Sequence, residues 1–290
     1  MAKKKKSKKL TLPLKWHGGK NYLASGIIEL MPPHLHYVEP YFGGGAVLLA
    51  RDLSRNWYEG AKDWSDTAAQ RGSSEVANDV NGELINFWHV LRYERKFEKF
   101  VRSVQAIPFS EKDWQDACEC QDGKNSVTRA VRFFVRCRQS LAGRMNSFAP
   151  LSRSRTRGNI NEQANAWLGA VEGLPAVHER LKSVVILNDD ALSVIRKQDS
   201  PKTLHYLDPP YLHETRSSKD VYECEMTDED HRQMLETIQN VEGSVVLSGY
   251  HSALYDKMLR NWNLKEFVKP NNSAGGKEKR KMVECLWMNY

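Results

Sequence analysis

The stretch "LHYLDPPYLHET" at residues 204–215 holds the key to this chain. Leu204, Tyr206 and Leu207 have the apolar and aromatic character of a short buried strand. Pro209 and Pro210 must end that strand, because neither offers an N–H to a β-ladder. Asp208 and Tyr211 are then fixed at a strand's carboxyl end, where open α/β sheets place their ligands. A hydrogen-bond-accepting acid beside an aromatic face suits a flat ring that carries an amine.

On either side of this stretch the chain alternates between strand-like and helix-like segments, as a parallel α/β sheet requires. "HYVEPY" at 36–41 reads as a strand, Phe42-Gly43-Gly44-Gly45 as a tight loop and "AVLLARDL" at 46–53 as a helix. "SEVAND" at 74–79 is a second strand, followed by a helix with Leu84, Phe87, Trp88 and Leu91 on one face. "SVVILN" at 183–188, "TLHYLD" at 203–208 and "SVVLSG" at 244–249 are three more strands, each followed by a helical pattern. "KMVECLWMNY" at 281–290 reads as a last, buried strand. The rhythm breaks at 102–179, where helical "SVTRAVRFFVRCRQSL" leads into the arginine-rich loop "RMNSFAPLSRSRTRGNINE" and then a second helical stretch. A smaller polar insertion covers 54–74. The expected organisation is a basic flexible tail at 1–10, a main domain from 11–101 and 180–290, and a mostly helical inserted domain at 102–179.

With 290 residues, 40% of them hydrophobic and 27% charged, a packed soluble core is expected. The formal charge of +7 is concentrated in "KKKKSKK" at 3–9, "RSRTR" at 153–157 and "KEKRK" at 277–281, which points to a polyanionic partner. No apolar run reaches the roughly 18 residues of a membrane span. The basic start "MAKKKKSKKL" is not followed by the apolar stretch of a signal peptide. The five cysteines are odd in number and lack framework spacing, and Cys118 and Cys120 are too close together for a zinc knuckle. They read as reduced thiols in a cytosolic setting. His34, His36, His205 and His213 lack coherent ligand spacing, so no metal is expected.

Strand, glycine loop and helix form a nucleotide-site geometry, since bare backbone lets a ligand come close. The dinucleotide fingerprint fails, because its third glycine would fall at Leu48. A phosphate loop fails too, because no Gly-Lys-Ser/Thr follows. Glu39 precedes the loop, and Asp79 ends the second strand, where a carboxylate can bind ribose hydroxyls. Two acids disfavour a phosphate but suit a nucleoside with a cationic centre. S-adenosylmethionine, with its ribose, ammonium and sulfonium, is such a ligand.

Seven segments in order resemble the motifs of the Dam-like DNA adenine methyltransferases, the alpha motif-order group whose cofactor motifs precede the recognition domain. They are "LKWHGGK" at 14–20, "VEPYFGGGAVLLA" at 38–50, "NDVNGELINFWHVL" at 78–91, "ILNDDAL" at 186–192, "DPPY" at 208–211, "VLSGY" at 246–250 and "ECLWMNY" at 284–290. The resemblance implies a Rossmann-like, S-adenosylmethionine-dependent α/β methyltransferase sheet with the 102–179 insertion as its target-recognition domain. It implies that Lys15, Trp16 and Lys20 line the methionine end of the cofactor. Glu39, Pro40 and the loop Phe42, Gly43 and Gly45 would pack against the methionine part, and Asp79 would hold the ribose. Asp190, or its neighbour Asp189, would accept from the cofactor's adenine amine. Asp208 and the Pro209 carbonyl would accept from the substrate amine, with Pro210 stiffening the turn and Tyr211 stacking on a base rotated out of the helix.

The implied reaction is transfer of a methyl group to the exocyclic N6 amine of a flipped adenine in double-stranded DNA. It needs no metal and no covalent intermediate. The implied setting is a monomer in the cytoplasm of a bacterial or phage-infected cell. Arg153, Arg155 and Arg157 are expected against the DNA backbone, with Gly158 and Asn159 turning the loop. The alternatives are a cytosine-N4 methyltransferase and a non-catalytic DNA-binding relative. A cytosine carbon-5 enzyme is disfavoured, since none of the 11 prolines precedes a cysteine.

Overall fold

A computed structural model describes residues 10–58, 73–119, 125–151, 154–212, 225–270 and 281–290. The lysine-rich start, Cys120, Arg153, His213, residues 277–280 of the third basic cluster and most of the 54–74 insertion lie outside the described residues. The elements run α1 (Ala24–Leu30), β1 (His36–Glu39), α2 (Ala46–Ala50), β2 (Ser74–Asn78), α3 (Gly82–Arg92), α4 (Glu94–Ala106), α5 (Glu111–Glu119), α6 (Ser126–Gln139), β3 (Thr156–Arg157), β4 (Ile160–Asn161), α7 (Glu162–Leu181), β5 (Val184–Leu187), α8 (Ala191–Gln198), β6 (Thr203–Leu207), α9 (Asp228–Ile238), β7 (Ser244–Gly249), α10 (Ala253–Met258), β8 (Asn263–Pro270) and β9 (Lys281–Met288).

The described residues form a seven-stranded sheet in the order β5-β2-β1-β6-β7-β9-β8. The pairs β1–β2, β1–β6 and β6–β7 are parallel. Parallel strands are covered on both faces, so their residues need not alternate. Every residue of β6 is buried accordingly. At its far end the sheet departs from the parallel pattern read from the sequence: β9 runs antiparallel to both β7 and β8. Strand β8 had no counterpart in the sequence reading. It is an edge strand with Leu264 and Val268 exposed and Lys265 and Glu266 among them, so it carries little of the apolar signal that marks a buried strand.

Two compact units divide the chain, one of residues 1–29, 43–54 and 81–186 and the other of 30–42, 55–80 and 187–290. In the second unit Leu207, Val245, Leu247 and Trp287 of the sheet pack with Ile195 of α8 and Met234, Leu235 and Ile238 of α9. The first unit is mainly helical around an aromatic cluster. Phe87 stacks on Phe134 at 5.9 Å and meets Phe100 edge-on, and Phe134 lies 5.2 Å from Trp167. The α3 face read from its period is buried in full: Leu84, Phe87, Trp88 and Leu91 have no exposed surface. Asn81 caps this helix by accepting from the Leu84 N–H at 2.9 Å. The positions 101/102 and 179/180 fall inside α4 and α7, and the glycine loop and α3 cluster with the helices of the 102–179 segment.

Candidate active site

In the second unit one buried amide ties three strand ends together. Asn78, the last residue of β2, donates to the carbonyls of Pro40 and Asp189, each at 3.0 Å. Its own side-chain oxygen accepts from the Asp189 N–H at 2.9 Å. The Asn78 carbonyl accepts from the Phe42 N–H at 2.8 Å. Asn188 repeats the device after β5, donating to the Asp79 carbonyl at 2.7 Å. Asp79 is thus held by its backbone, with a half-buried side chain. The sequence reading missed both amides, although a visible signal exists: an Asn-Asp pair ends each of the two strands.

Glu39 closes β1 and is 2% exposed, with its carboxylate accepting from the Tyr37 hydroxyl at 2.6 Å. Asp189 and Asp190 differ in their engagements. Asp189 pairs with Lys197 at 2.9 Å and accepts from the Asp190 N–H at 2.8 Å through its other oxygen. The lysine, with that N–H, holds its carboxyl below the usual range. Asp190 caps α8 through one oxygen, which accepts from the Ser193 N–H at 2.8 Å.

Strand β1 is flanked by β2 on one side and β6 on the other, which makes the β1–β6 boundary a topological switch point. Asp208 follows β6 there and is half-buried, and Pro209 is buried behind it. The Tyr211 hydroxyl faces two carboxylates, Asp208 at 3.2 Å and, closer, Glu284 on β9. The Tyr211 ring meets Tyr250 edge-on at 4.8 Å. Burial, together with the Asp208 and Glu284 carboxylates, pushes the Tyr211 hydroxyl far above its ordinary pKa, so it stays protonated and donates. Glu284 is 2% exposed. Nothing in the segment "ECLWMNY" marks this role, because no local pattern says that a strand residue 73 positions away will reach Tyr211.

The first unit holds the remaining predicted cofactor residues. Trp16 lies on the glycine loop: a Cβ at Gly43 would sit 2.7 Å from the indole nitrogen, and one at Gly44 2.6 Å from the Trp16 Cβ. Trp88 donates to the Gly43 carbonyl at 3.1 Å. The bare backbone at these two glycines therefore serves the approach of the Trp16 side chain. Lys20 is buried and donates to the Gly18 carbonyl at 3.1 Å. Lys15 donates to Gln163 at 3.0 Å, and burial, aided by Arg138, lowers its pKa. Gly158 and Asn159, with φ of 61° and 64°, form the two-residue turn between β3 and β4. Arg155 and Arg157 are exposed beside that turn, and Arg155 lies 3.7 Å from Glu162.

Three of the histidines considered as ligands are held by protein partners: His34 by the Pro32 carbonyl, His36 by Ser74 and Gln198, and His205 by Asp199. His251, Glu266 and Cys285 bring donor atoms within 4.8 Å of one another. Both His251 nitrogens, however, already face carboxylates at 2.8 Å, Asp256 and Glu266. These carboxylates, Glu266 first, raise its pKa, which suits a protonated imidazole in an ion pair.

His205 behaves oppositely. Burial outweighs Asp199 and lowers its pKa to about 4. An ordinary histidine in the unfolded chain binds its proton near pH 6.5, so acidification favours unfolding. Stability is expected to be intact above about pH 6.5 and to fall by roughly 3 kcal/mol as the pH drops towards 4. Urea titrations across this window should show a shallower loss in His205→Gln, and parallel curves would remove His205 as the cause.

This sheet, with acids at the carboxyl ends of β1, β2 and β6, has the architecture of a nucleoside-cofactor methyltransferase. Residues 16–271 match the family model of the D12 class N6 adenine-specific DNA methyltransferases, and the chain belongs to that family. It is accordingly an adenine-specific DNA methyltransferase. It is 25% identical over 299 residues to the type II methyltransferase M.MjaIII of Methanocaldococcus jannaschii, covering 96% of this chain and 98% of that protein. It is 24% identical over 292 residues to the type II methyltransferase M1.LlaDCHI of Lactococcus lactis subsp. cremoris, covering 95% and 94%. Among the described residues no helix is long and apolar enough to cross a membrane.

Proposed function

We propose that the protein transfers the methyl group of S-adenosylmethionine to the N6 amine of an adenine turned out of double-stranded DNA. The observation that carries this reading is the placement of Asp208 and Tyr211 at the switch point, beside the β1 end that bears Glu39. The residues fit the cofactor. Buried Glu39 suits its ammonium, and half-buried Asp79 suits its ribose hydroxyls. Asp190 uses one carboxylate oxygen as a cap, which leaves the other for the cofactor's adenine amine, whereas both oxygens of Asp189 are engaged. Lys15, Trp16, Lys20, Pro40, Phe42, Gly43 and Gly45 take the methionine-side roles that the motif resemblance implies.

When bound, the cofactor supplies a methyl group already activated by its sulfonium. The chain's task is to prepare the amine. Asp208 and the Pro209 carbonyl accept from the amine hydrogens and favour a tetrahedral nitrogen whose lone pair points outward. Pro209 and Pro210 hold those acceptors rigid, and the Tyr211 ring offers a face to the extruded base. The chemistry calls for no metal, and a cytoplasmic monomer of a bacterial or phage modification system suits it.

Nucleoside digestion and mass spectrometry of duplex DNA treated with protein and S-adenosylmethionine should reveal N6-methyladenine. Methylcytosine without methyladenine would overturn the substrate assignment. Asp79→Ala is expected to weaken cofactor binding at least roughly tenfold, the value of a lost hydrogen bond to a charged group. Unchanged affinity in calorimetry would remove Asp79 from the ribose site.

Arg155 and Arg157 lie against the DNA backbone in this reading; Arg153, expected there too, lies outside the described residues. Replacing Arg155 and Arg157 by alanine should make the slope of log affinity against log salt shallower by about 1.8, at ~0.9 for each phosphate left without its arginine. An unchanged slope would place the DNA clamp elsewhere.

A further inference from the structure

The Tyr211 phenol has one hydrogen and faces two carboxylates, Asp208 and Glu284. Only one of them can take it. The phenol oxygen lies closer to Glu284, which is buried on β9, than to Asp208, which is half-buried. The sheet sets both Glu284 and Tyr250 beside the phenol. Cys285, the neighbour of Glu284, is paired with Gly249 at the end of β7, and Tyr250, which follows, braces the Tyr211 ring at 4.8 Å. On its other side β9 is paired with β8, with Phe267 opposite Glu284. The chain following β6 and β7 thus meets the middle of β9 at this phenol.

If the proton pointed at Asp208 instead, it would occupy lone-pair density that the substrate amine needs. Asp208 would then be a weaker acceptor at the nitrogen that must become nucleophilic. We propose that Glu284 is a positioning residue that draws the Tyr211 phenolic proton away from Asp208 and so keeps the Asp208 carboxylate an acceptor for the substrate amine. This rests on the reading of Asp208 as the acceptor for that amine.

The test is a double-mutant cycle on the full-length protein, with single-turnover methylation of a DNA substrate and cofactor affinity by calorimetry as readouts. Glu284→Gln keeps the side chain's shape but weakens it as an acceptor, so the phenolic proton turns to Asp208. The methylation rate should fall roughly tenfold with cofactor affinity unchanged. In a Tyr211→Phe background the same substitution should change the rate less than about twofold, because no phenolic proton remains to be redirected.

Glu284→Asp, which keeps the charge, should recover most of the rate. If the Gln variant does not melt cooperatively, the Asp variant carries the cycle, with a smaller loss that again disappears in the Tyr211→Phe background. An equal loss in both backgrounds, or no loss in either, overturns the proposal. Retained turnover in Asp208→Ala would instead overturn the reading of Asp208, which is a separate outcome.

Discussion

Asp208→Ala is expected to lower the single-turnover rate of adenine methylation by about 10²–10³-fold or more, the scale of removing one pre-organised hydrogen-bonding group from a reacting centre. The exocyclic amine is a poor nucleophile because its lone pair is spread into the ring. A fixed acceptor on the amine hydrogens compensates for that, and water does so poorly because it must reorganise as the charge shifts. Asp208 is fixed in two ways. Its strand β6 is buried at every position, and two prolines restrict the turn that follows. The rate is read by transfer of a labelled methyl group, and the melting temperature shows that the variant is folded. A rate above roughly a tenth of wild type would remove Asp208 from the chemistry.

The second large effect concerns stability. Gly143→Ala is expected to cost more than about 4 kcal/mol or to prevent folding. Gly143 has a φ of 75°, and a Cβ there would sit 1.5 Å from the Lys15 carbonyl oxygen. That neighbour is backbone, so no side chain can rotate out of the way. The Lys15 carbonyl also accepts from the Cys137 thiol at 3.5 Å, which places it against α6. The segment Leu14–Trp16 would have to move, and with it the indole that rests on Gly43 and Gly44.

Gly169→Ala is the control. Nothing lies within 4 Å of a Cβ there, and the residue sits inside α7. This change should stabilise by roughly 0.5–1 kcal/mol, the ordinary advantage of alanine over glycine in a helix. Urea midpoints compare the three proteins. A Gly143→Ala midpoint close to wild type would mean that the Lys15 segment does not pack as described.

Much of this architecture could be read from local pattern. The α3 face declared itself because Leu84, Phe87, Trp88 and Leu91 recur at helical spacing, and all four are buried. The strand ahead of Asp208 declared itself because an apolar run met two prolines, which cannot continue a ladder. The turn at Gly158-Asn159 followed from residues that tolerate positive φ. Strand β8 stayed hidden, since an exposed edge needs no apolar face. Asn78, Asn188 and Glu284 stayed hidden for a different reason. Each is an ordinary polar residue in its own segment and gains its role only from a partner far along the chain: Asp189 for Asn78, Asp79 for Asn188 and Tyr211 for Glu284.

The order of motifs carries the family, matched over residues 16–271, and the α/β class, because each depends on residue type and on neighbours within a few positions. The antiparallel return of β9 between β7 and β8 is not written in any short segment, and neither is the packing of Trp16 onto the glycine loop. The same holds for the placement of the Tyr211 phenol between two acids. These depend on which distant surfaces meet, and burial makes each meeting consequential: a polar group out of water must find its partner in the fold or lose the hydrogen bond that water would have supplied.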